Sequence, residues 1–298
     1  MNKKIYVNNA IDKNFIDECD KEFDKKLSLA AGAVFTGKEK IIGLSGPTCS
    51  GKTTASNKLA ALIGERGAKM KVISLDDFFK DEFSKAEISL DDAEGLDFDS
   101  PDTMDIELLD KFVDDLFTKG RATKPTFDFK TGTRINYREI VLEEGDVLVF
   151  EGIQVMYPQI EKIIEGMDSK ILFACPESGI SCVGHDFEPN EIRLLRRIVR
   201  DRHFRDANVT FTMSLWDSVR RNEEINIFPN LHDSCVRIDT THAYELHILK
   251  PYLEKYLDEV SRESKYYAKT REMLEKLECI KGADSSWIGK NSLYKEFV

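Results

Sequence analysis

The sequence predicts an α/β fold in which a central, mainly parallel five-stranded sheet carries helices on both faces. Two observations support this prediction. Five short apolar runs lie along the chain, and helix-length segments separate them, which is the pattern of strands joined by crossover helices. The runs cover residues 41–45, 72–75, 147–150, 171–174 and 236–238.

Helical periodicity extends beyond both ends of this sheet. Within residues 1–37, apolar side chains at helical spacing predict one amphipathic helix, and they are Phe15, Ile16, Cys19, Phe23 and Leu27. After Tyr244 the pattern is helical to about Cys279, with Pro251 near a helix start or a kink. We therefore expect an N-terminal helical extension over 1–37, a main domain over 38–260, and a C-terminal helix and tail over 261–298 that packs on it.

The composition narrows the class of protein. The chain has 298 residues and a formal net charge of −11, so a basic surface for nucleic acid is not expected. No segment approaches the roughly 20 apolar residues of a membrane helix. The six cysteines form no C-x-x-C pair and the N-terminus shows no secretory signal, so we expect a cytoplasmic protein with reduced thiols.

The first apolar run leads into G-P-T-C-S-G-K-T, which matches the phosphate-binding pattern G-x-x-x-x-G-K-[ST] at every fixed position. In such a loop, backbone N–H groups surround a polyphosphate, the lysine reaches the terminal phosphates, and the hydroxyl ligates Mg²⁺. The predicted nucleotide contacts are Gly46, Thr48, Cys49, Ser50, Gly51, Lys52, Thr53 and Thr54. We interpret Cys49 as a small filler, with a reactive thiol as the alternative.

Two carboxylates each follow an apolar run that we expect to form a strand beside the strand of the phosphate-binding loop. Asp76 comes after the run over 72–75, where ligands bind in sheets of this kind, so it is placed to accept a proton from an attacking hydroxyl. Capping of the next helix is the alternative for Asp76 and, more strongly, for Asp77. Glu151 follows the run over 147–150 and is expected to hold Mg²⁺ or its water shell. Between these two runs, residues 81–102 are expected to form a long acidic loop.

The segment 193–200 places four arginines on one face of a predicted helix and aliphatic side chains on the opposite face. The arginines are Arg193, Arg196, Arg197 and Arg200. Like charges at this spacing repel one another unless an anion neutralises them, as a polyphosphate and the acidic loop would. A lid that closes over the transferred phosphate is the functional interpretation, and a basic surface helix is the alternative. Arg205 joins this face only if the helix breaks near Phe204.

Phe127 and Phe129 alternate along a predicted strand within residues 124–134. Beside a phosphate site such rings are able to stack on a flat base, whereas core packing is the alternative. The guanine-reading pattern N-K-x-D does not occur in the sequence, which disfavours a GTPase.

In this order, the motifs resemble the uridine kinase and phosphoribulokinase family of P-loop kinases, and in particular its bacterial-type uridine kinase-like branch. The resemblance covers most of the chain and runs through GPTCSGKTT, LDDFF, LDFDSPDTMD, KPTFDFKTGTR, VLVFEGI, RLLRRIVRDRHFRD, LWDSVRRNEEINIFP, AYELHILKP and NSLYKEF. Several motifs in one order are far more specific than a single one. The resemblance implies a three-layer P-loop NTPase fold with a small substrate-binding or lid insertion, and it implies ATP and Mg²⁺ as cofactors.

The resemblance also implies roles for individual residues in phosphorylation of the 5′-hydroxyl of uridine or cytidine. Asp76 would be the base, Lys52, Arg200 and Arg205 would act on the phosphates, and Thr53 with Glu151 would hold Mg²⁺. The nucleoside would be bound by Phe79, Phe98, Asp99, Phe127, Phe129 and Arg197, with Asp99 and Arg197 on the ribose hydroxyls.

Three positions depart from the pattern of animal-type uridine–cytidine kinases. Gly132 stands where those enzymes have a base-reading histidine, and Phe79 and Phe127 stand where they have tyrosines. Because discrimination between close analogues comes from paired buried polar groups, the acceptor is less well defined than the chemistry. A kinase of another small alcohol such as a sugar phosphate, or a catalytically silent nucleotide-binding regulator, are the alternatives. A homo-oligomer is left open.

Overall fold

The computed structural model of the protein describes residues 3–81, 99–128 and 131–298. In chain order its strands and helices are β1 (Lys4–Val7), α1 (Lys13–Val34), β2 (Ile41–Ser45), α2 (Lys52–Gly64), β3 (Lys69–Ser74), α3 (Ile106–Lys119), β4 (Arg121–Asp128), β5 (Thr133–Val141), β6 (Asp146–Glu151), α4 (Pro158–Ile164), β7 (Ser169–Cys175), β8 (Gly179–Cys182), β9 (His185–Phe187), α5 (Pro189–Arg205), α6 (Val209–Asn222), β10 (Val236–Asp239), α7 (Glu245–Asp258) and α8 (Tyr267–Leu277). All five apolar runs form strands or the ends of strands.

The main sheet has the strand order β10-β7-β2-β6-β3, and every neighbouring pair is parallel. In its register, Glu151 of β6 lies opposite Leu44 of β2 and Ser74 of β3. The carboxyl ends of these three strands therefore meet at one edge of the sheet, which is where such folds bind ligands. The strand β6 lies between β2 and β3, so the expectation that Asp76 follows a strand directly beside β2 is wrong. The predicted α/β fold with a five-stranded parallel sheet is confirmed.

Each buried strand contributes to two hydrophobic cores because successive side chains point to opposite faces. In β6, Val147 and Val149 pack into the core that includes α1, α2, α5 and α7, while Leu148 and Phe150 pack into the core that includes α3 and α4. These side chains are almost completely buried. The two cores place a layer of helices on each side of the sheet, as expected for a three-layer fold.

Two smaller sheets lie outside the main one. The strands β4 and β5 form an antiparallel hairpin with a register shift between Thr126 and Phe127. The strands β8 and β9 are antiparallel, and β1 joins β8 as a parallel neighbour. The strand β1 was not predicted, because four residues between polar neighbours carry too little pattern to reveal a partner about 175 residues away.

The chain after Tyr244 forms two helices, α7 and α8, rather than one continuous pattern to Cys279. Pro251 lies inside α7, where it has no N–H to donate to the carbonyl of His247. That carbonyl instead accepts a hydrogen bond of 2.9 Å from the N–H of Ala283. The proline thus frees a helix carbonyl that anchors the C-terminal segment.

The N-terminal and C-terminal segments share the core of the main domain. Ile16 and Phe23 of α1 pack in one cluster with Leu293 and Phe297 of the C-terminal tail. The division of the chain at 37 and 260 stays a prediction. Across the part of the chain that the structure describes, no helix has the length and apolar character needed to cross a membrane.

Candidate active site

The phosphate-binding loop connects β2 to α2, and two of its glycines are required by its shape. Gly46 has a φ of +155°, and a Cβ atom there would lie 1.9 Å from the carbonyl oxygen of Ala174. Gly51 begins α2 in the left-handed conformation with a φ of +90°. Lys52 Nζ donates to the carbonyls of Gly46 and Pro47 at 2.9 and 3.0 Å. The lysine is therefore held over the loop, close to where phosphates would lie.

Two arginines of α5 hold the loop from behind. Arg193 Nε donates to the carbonyl of Thr48 at 3.0 Å, while Glu223 accepts from the Thr48 N–H at 3.3 Å. Arg196 Nη1 donates to the carbonyl of Cys49 at 3.3 Å. Buried carboxylates pair with both guanidinium groups, Glu223 with Arg193 and Glu245 with Arg196.

The sequence predicted that a bound anion neutralises all four arginines on one face of this helix. For Arg193 and Arg196 this prediction is wrong. Both side chains are fully buried and satisfied by acids that lie 30 and 49 residues further along the chain. The alternative, a basic surface helix, is also wrong, because α5 is buried on the arginine face as well as on its aliphatic face.

Three further arginines of α5, two of them on the predicted face, converge on one carboxylate. Asp201 accepts from Arg200 Nη2 at 2.7 Å and from Arg197 Nε at 3.2 Å, and Arg205 Nε lies 3.7 Å away. Burial opposes the charge on Asp201, but the arginines outweigh burial and lower the pKa of its carboxyl below the usual value. The helix continues through Arg205 without a break near Phe204, so the condition under which Arg205 would join the arginine face is not met. Arg205 instead approaches Asp201 from the next turn of the helix. A lid role for Arg200 and Arg205 stays a prediction.

Asp76 lies in the short helical turn Leu75–Phe78 that follows β3. Its Oδ1 accepts a hydrogen bond of 2.7 Å from Gln154 Nε2. Gln154 is 1% exposed, and among the described residues its Oε1 has no hydrogen-bond partner. No motif or periodicity in the sequence points to this glutamine, and its one signal is its place three residues after Glu151. It holds the carboxylate of Asp76 in one orientation at the end of the strand.

Glu151 ends β6 next to Asp76 and Lys52. Burial raises the pKa of its carboxyl to about 7; Lys52 opposes this shift, and the neighbouring carboxylates of Asp76 and Glu296 add to it. In the sheet, Glu151 lies opposite Leu44, two residues before the loop begins at Gly46, and opposite Ser74, two residues before Asp76. This register brings Asp76 and Glu151 to the loop that carries Lys52. A buried carboxylate with so little compensating charge suits a divalent cation.

The residues fit Mg²⁺ held jointly with the phosphates of a nucleotide. The hydroxyl of Thr53 and the carboxylate of Glu151 offer oxygen atoms, which are the ligands that Mg²⁺ prefers. In the described ranges no group of three or more His, Cys, Asp or Glu side chains forms a metal cage. Mg²⁺ usually takes one or two carboxylates together with substrate phosphates and water, so a complete protein cage is not required.

Two of the predicted substrate residues lie close together near the turn that carries Asp76. The rings of Phe79 and Phe127 lie 5.5 Å apart, and both side chains are buried. Asp77 does not cap a helix: it pairs with Lys124 and accepts from the Phe127 N–H at 3.0 Å. Asp77 therefore anchors β4, which carries Phe127, to the turn that carries Asp76 and Phe79.

The remaining predicted substrate residues are only partly placed. The backbone carbonyl of Asp99 accepts a hydrogen bond from the Tyr157 hydroxyl. Arg197 is buried against Asp201. Phe98 and Phe129 lie outside the described residues, as does most of the expected acidic loop over 81–102.

Gly132, which stands in place of the histidine of the animal-type enzymes, has a left-handed backbone conformation. It lies in the turn between β4 and β5 with a φ of +68°, and its N–H donates to the carbonyl of Asp128 at 2.8 Å. A residue with a side chain would be strained in this conformation. Cys49 also has a positive φ, of +58°, and its side chain is 2% exposed, in keeping with its interpretation as a filler.

Together, a phosphate loop at the end of a parallel strand and acids at the ends of two neighbouring strands define a P-loop kinase. The chain belongs to the Phosphoribulokinase / Uridine kinase family, whose model matches residues 41–243. This finding confirms the family predicted from the sequence and the predicted class of enzyme, a phosphotransferase.

Curated relatives support the same family. The chain is similar to a uridine kinase from Lactobacillus helveticus, with 29% identity over 164 residues that cover 55% of this chain and 68% of the relative. It is similar to a uridine kinase from Halalkalibacterium halodurans, with 32% identity over 161 residues that cover 54% and 66%. The chain thus spans about two thirds of the length of these relatives.

A solved structure shares the fold. A protein described as a fructose transport system kinase from Silicibacter superposes with a TM-score of 0.51 at 19% identity, over 71% of this chain and 98% of that one. At this identity the likeness shows the fold alone.

Proposed function

We propose that the protein transfers the terminal phosphoryl group of ATP to the 5′-hydroxyl of uridine or cytidine. The observation that carries this proposal is the position of Lys52, Asp76 and Glu151 at one edge of the sheet, where Gln154 donates a hydrogen bond to Asp76. Family membership and the names of the curated relatives support a pyrimidine nucleoside as the acceptor.

In this proposal the protein positions both substrates and stabilises the negative charge on the phosphoryl group during its transfer. The loop N–H groups and Lys52 bind the donor phosphates, and Thr53 with Glu151 hold Mg²⁺, which would neutralise charge on them. The carboxylate of Asp76 accepts the proton of the acceptor hydroxyl as its oxygen attacks phosphorus in line with the departing ADP oxygen. Arg200 and Arg205 contribute positive charge from the end of α5.

The acceptor side is the less specific part of the proposal. Phe79 and Phe127 form an apolar wall on which a flat base is able to pack. Asp99 and Arg197 would bind the ribose hydroxyls. A phosphorylated acceptor would need added cations near Asp99, whereas the sequence over 81–102 is rich in acids, so a sugar phosphate is disfavoured.

The test is ADP formation from ATP and Mg²⁺ with separate acceptors, measured against a blank without acceptor. The panel contains uridine, cytidine, purine nucleosides, ribulose 5-phosphate and pantothenate, and Lys52→Ala serves as the inactive control. We expect strong stimulation by uridine or cytidine alone. Stimulation by ribulose 5-phosphate instead would show that the acceptor is a sugar phosphate and not a nucleoside. ATP binding with no stimulation by any acceptor would favour a catalytically silent regulator.

Gln154 provides a further prediction for the same site. Gln154→Leu keeps the side-chain volume but removes the donor to Asp76, so we expect kcat to fall about tenfold because the base is no longer oriented. The KM for ATP should stay unchanged, and thermal stability should not fall, since the change also removes the unpartnered buried Oε1.

The matched control is Gln159→Leu, at an exposed position of α4. Equal kcat values for the two variants and the unmodified protein would show that Gln154 does not position the base. A large loss of stability in Gln154→Leu alone would assign it a structural role.

A further inference from the structure

The C-terminal tail, which we define as residues 289–298, packs directly against the phosphate-binding loop. Its helical turn Leu293–Glu296 is anchored by the buried side chains of Tyr294 and Phe297. Leu293 is 1% exposed and covers Gly51, where a Cβ atom would lie 2.5 Å from Leu293 Cδ1. The tail is thus fixed over the start of α2, next to the residues that bind phosphate in this kind of loop.

The same turn directs a carboxylate at the first turn of α2. Glu296 Oε2 accepts from the backbone N–H of Thr54 at 3.3 Å and lies 3.4 Å from Thr54 Oγ1. Thr54 is the third residue of α2, so its N–H has no partner inside the helix. The backbone N–H groups at this end of the helix are those that a polyphosphate binds in P-loop proteins.

We propose that Glu296 occupies the place of a donor phosphate in the nucleotide-free protein, so that the C-terminal tail competes with ATP for its own site. This inference rests on the proposed use of the loop for a nucleoside triphosphate. Glu296 and a phosphate cannot both accept the Thr54 N–H. The carboxylate and a phosphate at the same N–H would also repel each other strongly in a partly buried site. ATP therefore binds only to the fraction of molecules in which Glu296 has left Thr54.

A cavity next to Glu296 leaves room for its carboxylate to move away from Thr54. Glu296 and Thr54 both line a cavity of about 720 Å³ between α1, α2 and the tail. Lys290 and Lys295 line the same cavity, as does Lys58, which pairs with Asp24. The Glu296 side chain therefore has room to rotate away from Thr54 toward Lys290 and Lys295. Leu293 and Tyr294 need not leave the core in this movement. The exchange is a local side-chain switch on a fixed tail.

Calorimetric binding of ATP, tripolyphosphate and adenosine to Glu296→Gln and Glu296→Ala tests this inference. Glu296→Gln keeps the shape and removes the charge, while Glu296→Ala removes the competitor. We expect ATP and tripolyphosphate to bind about tenfold more tightly to Glu296→Ala, with Glu296→Gln in between, since the competition is removed stepwise. Adenosine carries no phosphate, so its affinity should not change.

Glu275→Gln, an exposed site on α8, controls for the loss of one negative charge. Melting temperatures of all variants establish that the fold is intact. Weaker ATP binding to Glu296→Ala would overturn the inference and make Glu296 a ligand of the donor; unchanged binding would overturn it as well. If neither the unmodified protein nor any variant binds ATP or tripolyphosphate, the proposed function fails together with this inference.

Discussion

Asp76→Asn is expected to lower kcat about a thousandfold, because general-base catalysis by a positioned carboxylate contributes roughly 10²–10⁴ to the rate. The asparagine side chain has nearly the same shape, and its Oδ1 is still able to accept from Gln154 Nε2. It does not accept the proton of an attacking hydroxyl. The KM for ATP should remain close to that of the unmodified protein, since Asp76 does not belong to the phosphate-binding loop.

Steady-state kinetics with the acceptor identified by the panel measure this effect, and thermal melting verifies the fold. Asp110→Asn is the matched control, because Asp110 is exposed on α3, away from the carboxyl edge of the sheet. A kcat for Asp76→Asn within a few-fold of the control would remove Asp76 from its role as the base. An equal fall of kcat in both variants would point to a general effect of the charge change.

The main sheet was predictable because its three central strands, β2, β6 and β7, contain short apolar runs that are buried on both faces. In β6, for example, four successive apolar residues are needed to fill two cores, and this leaves a mark that sequence shows. The phosphate-binding loop was predictable for a different reason: Gly46 and Gly51 take backbone conformations and close contacts that exclude a Cβ atom. Both signals are short patterns in the sequence, even where the contacts that cause them come from distant residues.

The partners of α5 were not predictable because they are set by tertiary structure. A helical projection places Arg193 and Arg196 beside Arg197 and Arg200, and it cannot show that buried acids from α7 and from the segment after α6 meet the first two. The contact of Glu296 with Thr54 joins residues 242 positions apart. A single glutamine such as Gln154 has no periodicity or spacing at all, so its bond to Asp76 is visible only in three dimensions.

The second large effect is expected from breaking the buried pair of Arg196 and Glu245. Glu245 accepts from Arg196 Nε at 2.7 Å and from the His242 N–H at 2.9 Å, and both members of the pair are fully buried. Glu245→Gln leaves the guanidinium charge uncompensated, which should cost about 3–5 kcal/mol of unfolding free energy. For a chain of this size we expect a fall in melting temperature of about 5–8 °C.

Glu254→Gln is the matched control because Glu254 pairs with Lys250 on the surface of the same helix, where the loss should stay below about 1 kcal/mol. Replacing both partners, as Arg196→Met with Glu245→Leu, should recover part of the lost stability, since no charge is then left buried alone. ATP affinity should not recover with it, because the carbonyl of Cys49 in the phosphate-binding loop has still lost its arginine. Equal melting temperatures for Glu245→Gln and Glu254→Gln would show that the pair does not stabilise the fold. Full recovery of ATP affinity in the double variant would show that Arg196 does not support the loop.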